Sequence, residues 1–125
     1  MMKIITTSSA PAAAGPYSQA VVSNGYVYTS GQIPVSPVSG KIEGECIEVQ
    51  AEQAIKNVIA VLEAAGSSAD KVIKTTCFLK SMSDFAAFNQ IYARYFTFSP
   101  ARSCVEVSAL PKGALVEIEA VAELN

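Results

Sequence analysis

Six short strand-like runs share this chain with only two helical stretches, and several of the runs carry apolar side chains on both alternating sets. The runs are Lys3 to Ile5, Gln19 to Ser23, Tyr26 to Ile33, Lys71 to Leu79, Ala101 to Val107 and Ala114 to Ala122. Tyr26 and Tyr28 alternate with Val27 and Ile33, and Ile73, Cys77 and Leu79 with Val72 and Phe78. The helical stretches are Glu48 to Ala65 and Asp84 to about Phe96. The order β-ββ-α-β-α-ββ specifies an α+β fold: a single domain over residues 1–125, with one mixed sheet and two helices on one face. Two helices cover one face only, so the partly apolar open face predicts burial against a second copy of the chain.

The punctuation supports these elements. Asn24-Gly25 between two strand-like runs favours a type I′ hairpin, because both central residues need positive φ. Ala51, Ala54, Ile55, Val58, Ile59, Val61 and Leu62 form a broad apolar stripe, with Glu52 and Lys56 four apart on the outer side. Gly66 follows as the residue that ends the helix. Ser81 and Asp84 offer a capping-box-like start to the second helix, whose stripe is Phe85, Phe88 and Tyr92. Ser108 to Gly113 reads as the turn between the last two strands.

Composition narrows the chemistry. The 125 residues include no histidine, which excludes a Ser-His-Asp triad, a Cys-His pair and an HExxH zinc site. Net charge is −2, with nine basic residues dispersed along the chain, so nucleic acid is not an expected partner. No apolar run approaches the ~20 residues of a membrane span. The first ten residues hold one lysine and lack the apolar centre of a secretory signal. Cys46, Cys77 and Cys104 have neither disulfide-framework nor zinc spacing and are expected to be core thiols of a cytoplasmic protein.

Three constellations stand out. Alternation puts Arg102, Cys104 and Glu106 on one strand face, and Glu117 with Glu119 on one face of the last strand. If the two strands pair, Arg102 faces one of these carboxylates away from the helices. That arrangement is a cross-strand salt bridge at an interface or a site for a small acid. Arg94, on the second helix, reads as solvated. Cys104 has no histidine to activate it, so sulfur catalysis is disfavoured. The Gly15-Pro16-Tyr17 corner presents a phenol, for packing or for a pocket. Gly31, inside Thr29-Ser30-Gly31-Gln32, marks a strand kink or a close approach to a ligand.

Taken together, GPYSQA at 15–20, SGQIP at 30–34, PARSCVEV at 100–107 and LPKGALVEIEAVA at 110–122 resemble the RidA family (reactive intermediate deaminase A, or YjgF). The likeness runs from about Ile4 to Ala122. It implies a chorismate-mutase-like fold, assembled as a homotrimer whose sheets form a central barrel with a cleft at each subunit interface. It implies hydrolysis of enamines and imines such as 2-aminoacrylate and 2-aminocrotonate to 2-keto acids and ammonia, with no cofactor and no metal. Arg102 then matches the carboxylate-binding arginine and Glu117 the cleft glutamate. Tyr17, Ser30, Gly31 and Asn89 match cleft residues, and Cys104 a residue whose main chain meets the substrate nitrogen. The Thr97-Phe98-Ser99-Pro100 link is shorter than in many members, which bears on substrate breadth. The family also implies two alternatives: ribonuclease activity with inhibition of translation, and a non-catalytic regulator that binds a small acid.

Overall fold

A computed structural model describes residues 2–125. One mixed sheet runs in the order β1-β2-β3-β6-β4-β5, built from β1 (Lys3–Ile5), β2 (Ala20–Ser23), β3 (Tyr26–Thr29), β4 (Val72–Leu79), β5 (Ala101–Glu106) and β6 (Val116–Glu123). Neighbours are antiparallel except β4 and β5, which are parallel. The helices α1 (Ile47–Ala64) and α2 (Phe85–Tyr95) lie on one face, with the core between them and the sheet. Among the described residues no helix is long and apolar enough to cross a membrane.

The elements form where the sequence places them, for identifiable reasons. Asn24 and Gly25 take φ of 52° and 84°, the pair of positive values a tight hairpin needs. The buried stripe of α1 is Ala51, Ala54, Ile55, Val58, Val61 and Leu62, and Lys56 pairs with Glu52 at 3.2 Å on the outside. Gly66, at φ 89°, ends α1: its N–H donates to the Glu63 carbonyl and Ser67 N–H to that of Leu62. At α2 the start differs in detail. Ser81 caps a single 3-10 turn over Met82–Asp84, and Asp84 makes no side-chain cap of its own.

Two readings need correction. Ser108 to Gly113 does not join neighbouring strands, because β4 lies between β5 and β6. The run from Tyr26 to Ile33 is not one strand. β3 stops at Thr29, and pairing resumes only where Gln32 meets Ile118. Between Tyr28↔Val121 and Gln32↔Ile118, three residues on one side oppose two on the other, a one-residue bulge. The Thr29 hydroxyl fills the gap by accepting the Ala120 N–H at 3.0 Å.

The helix-free face carries Ile4, Tyr26, Tyr28 and Val105, all exposed, beside Lys74, Thr76, Glu117 and Glu119. Val116, Ile118, Ala120 and Ala122 point to the helices and are buried, as their alternation predicts.

Candidate functional site

The bulge sets the first cluster. Reciprocal backbone hydrogen bonds between Gln32 and Ile118, at 2.8 and 3.1 Å, hold Gly31 against β6. A Cβ built on Gly31 would lie 2.7 Å from the Glu117 Cδ, so only glycine leaves room for that carboxyl group. Glu117 is half-buried. Its pKa is pushed above the ordinary 4.5, first by burial and then by the neighbouring Glu119 charge. A carboxyl group of this kind stands closer to neutral than an exposed one, which suits it to exchange a proton with water.

Tyr17 is carried by a corner fastened to the same bulge. The Ser30 hydroxyl donates to the Ser18 carbonyl at 2.5 Å, and Ser30 N–H donates to the Gln19 carbonyl at 2.9 Å. The Ser30 side chain therefore serves as a fastener between corner and bulge. Gln19, only 3% exposed, donates to the Thr7, Ala10 and Pro11 carbonyls and accepts the Thr7 N–H, so one amide organises the loop before Tyr17. Tyr17 is 52% exposed, and its hydroxyl accepts the Ala14 N–H at 3.3 Å. Beside Tyr17 and Gly31 opens a pocket of about 230 Å³, walled by Pro11, Ile33, Val35 and Pro37. Asn57, buried on α1, holds that wall by donating to the Ile33 and Val35 carbonyls at 3.0 and 2.9 Å. The sequence marks Asn57 only as a polar residue inside the apolar stripe of α1, and its hydrogen bonds to the wall come from the fold.

The second cluster is built on β5, the edge strand. The Arg102 guanidinium donates through Nη1 to Asn89 Oδ1 at 2.8 Å. Its Cζ lies 4.8 Å from the Tyr92 ring centroid, 5.4 Å from that of Phe85 and 5.9 Å from that of Phe88. Among the described residues no carboxylate pairs with Arg102; the ion pair there is Lys56 with Glu52. A half-buried guanidinium satisfied on one edge, with aromatic walls and no counter-charge, is chemically a receptor for an anion.

These facts revise the sequence-level grouping. Arg102 stands opposite Thr75 in the sheet, and Thr75 faces the helices, whereas Glu117 stands opposite Phe78 on the other face. Arg102 and Cys104 therefore point toward α2, not away from the helices, and Arg102 cannot face Glu117 within one chain. Alternation grouped Arg102 correctly with Cys104, but it could not reveal that β4 separates β5 from β6. Arg94 is exposed, as expected. Of the cysteines, Cys77 is a core thiol with its pKa pushed up to about 12 by burial. Cys104 is half-buried, and burial raises its pKa despite the nearby Arg102 charge. Cys46 is exposed just before α1, where the core reading fails.

A sheet with two helices on one face, a guanidinium without a carboxylate partner among the described residues near its edge and a carboxyl group on its open face define a small α+β protein. Residues 7–124 match the family described as Endoribonuclease L-PSP. A provisionally named regulator, AldR, from Lactococcus lactis is 55% identical over 125 residues, covering 99% of each chain. The 2-iminobutanoate/2-iminopropanoate deaminase of Salmonella typhimurium is 49% identical over 126 residues, covering 98% of each. The solved structure of E. coli TdcF with bound serine is 44% identical and superposes with a TM-score of 0.93, covering 98% of this chain and 99% of that one. The chain belongs to the RidA family.

Proposed function

We propose that the protein hydrolyses 2-imino acids and their enamine tautomers, such as 2-iminopropanoate and 2-iminobutanoate, to 2-keto acids and ammonia. The observation that carries this reading is Arg102, a half-buried guanidinium with an aromatic cage and no carboxylate partner among the described residues. A substrate carboxylate fits its free edge, and such a charge-assisted pair contributes about 1.5–3 kcal/mol. The deaminase name of a close relative and the serine bound to TdcF support a small acid as ligand.

In the proposed reaction Glu117 accepts a proton from water as the water oxygen bonds to the imine carbon, and the C=N electron pair moves onto nitrogen. Glu117 then returns a proton to that nitrogen. In the resulting carbinolamine Glu117 carries the hydroxyl proton to the amino nitrogen as the C=O bond forms and the C–N bond breaks, so that ammonia leaves with no change of oxidation state. The imine carbon is already electrophilic, so a factor of roughly 10²–10⁴ from one acid–base group is a substantial share of what is needed. Backbone groups at Gly31 and Cys104 complete the proposed cleft, with Tyr17 as its cover.

Because Arg102 and Glu117 lie on opposite sheet faces, this chemistry needs two chains: one supplies the guanidinium and its neighbour the carboxyl group. We therefore place the sites between subunits of a homotrimer whose open sheet faces, with Ile4, Tyr26 and Tyr28, meet inside. A cytoplasmic setting suits three free cysteines.

The test is hydrolysis of freshly generated 2-iminopropanoate. Acceleration over the spontaneous rate is expected; a rate equal to that without protein would overturn the proposal. A second reading, a sensor that binds the acid without turnover, takes support from the relative named as a regulator. Binding of a 2-keto acid with no imine turnover would favour it.

A further inference from the structure

Arg102 reaches away from its strand toward α2, and a long flexible side chain recognises a carboxylate with a planar fork only when the fork is held in one plane. The residues that hold it form a small connected structure. Asn89 accepts one Nη1 proton at 2.8 Å, which fixes the rotation of the guanidinium about its long axis. The Tyr92 ring, 4.8 Å from Cζ, fixes its height. Tyr92 is in turn tied to the sheet: its hydroxyl and the Thr75 hydroxyl lie 2.6 Å apart, and Thr75 is the direct neighbour of Arg102 on β4. The ring is also wedged between Phe88 and Phe96, with centroids at 5.7 and 4.7 Å. Burial raises the Tyr92 pKa, so the hydroxyl stays protonated and the ring presents a neutral π face.

We propose that Asn89 and Tyr92 are positioning residues which set the plane of the Arg102 guanidinium for a substrate carboxylate, Tyr92 through its bond to Thr75, and that Asn89 acts on Arg102 rather than on the substrate. The proposal rests on the carboxylate-anchor reading of Arg102 given above. Asparagine suits the task because its amide oxygen holds the guanidinium without neutralising it. An aspartate at 89 would form an ion pair and compete with the ligand.

The experiment measures dissociation constants for 2-ketobutanoate and for its uncharged primary amide by titration of the assembled protein. The acid-to-amide preference reports carboxylate recognition alone, because loss of general structure weakens both ligands together. Wild-type protein is expected to prefer the acid by at least about tenfold, as a charge-assisted pair implies. Asn89→Ala and Tyr92→Leu should reduce that preference to near the value for Arg102→Ala. Tyr92→Phe keeps the ring, loses the bond to Thr75, and should fall between. Asn89→Asp should unfold at a temperature no lower than wild type yet bind the acid more weakly than Asn89→Ala. If Asn89→Ala and Tyr92→Leu keep the wild-type preference while binding both ligands more weakly, or Asn89→Asp binds the acid as tightly as wild type, the positioning role is wrong and the anchor reading stands. If wild-type protein shows no preference for the acid, the anchor reading falls as well.

Discussion

At the scale of single residues, charge and burial divide the work. Arg102 has no carboxylate partner among the described residues, so its removal should cost ligand affinity more than stability. Arg102→Ala is expected to lower imine hydrolysis by more than about 10²-fold, from the roughly 2.7 kcal/mol of a site-anchoring charge pair. Arg102→Lys should also lose most activity, because an ammonium keeps the charge and loses the planar fork. Steady-state rates on 2-iminopropanoate, taken with subunit mass and melting temperature, check both. Glu117 should show the opposite sign in stability. Its pKa is raised in the folded chain by burial and by Glu119, so the fold holds this proton more tightly than the unfolded chain does. Stability is then lost as pH rises from the ordinary value of 4.5 through the raised one. Glu117→Gln should therefore melt at or above the wild-type temperature at pH 7, lose that advantage near pH 4 (roughly, where the wild-type group is protonated in both states), and be inactive. Melting curves of the two proteins across this range decide the sign. Cys104 has a thiol that burial keeps protonated, so Cys104→Ser should retain most activity in the same assay.

At the scale of elements, the bulge after β3 sets the Glu117 half of the proposed site. Gly31 lies against the Glu117 carboxyl group, and a methyl there would force that group to shift. Gly31→Ala should assemble and melt close to wild type while losing at least about tenfold in kcat, since a misplaced acid–base group loses most of its effect. Loss of assembly in that variant would instead give Gly31 a purely architectural role. The elements themselves were largely legible in the chain. The Asn24-Gly25 turn, the α1 stripe and its Gly66 stop, and the alternation in β6 each follow from local stereochemistry, which acts over a few residues. Strand adjacency was not legible, because nothing local to Ser108–Gly113 says that β4 inserts between β5 and β6. The partners of the buried Gln19 and Asn57 amides were also not legible, since each bonds to backbone groups that only the fold brings near, although the place of Asn57 inside the apolar stripe of α1 marks it as buried.

At the scale of the whole molecule, one sheet carries the two halves of the proposed site on opposite faces. Tyr17, Gly31 and Glu117 gather around the bulge, while Arg102, Asn89 and Cys104 gather at the β5 edge toward α2. The motifs name the residues of the proposed site; their distribution over two faces was not legible, because motif order carries no information about which face a strand presents. In the proposed assembly a cleft completed by two neighbours would resolve the separation and also cover the exposed Ile4, Tyr26 and Tyr28. The most direct test mixes Arg102→Ala and Glu117→Gln subunits, each inactive alone, by joint unfolding and reassembly in equal amounts. If each cleft takes its arginine from one chain and its glutamate from the next, random assembly makes about a quarter of the clefts wild-type in both residues. The account predicts recovery of roughly that fraction of wild-type hydrolysis. Mixed assemblies, verified by mass, that remain as inactive as their parents would contradict it.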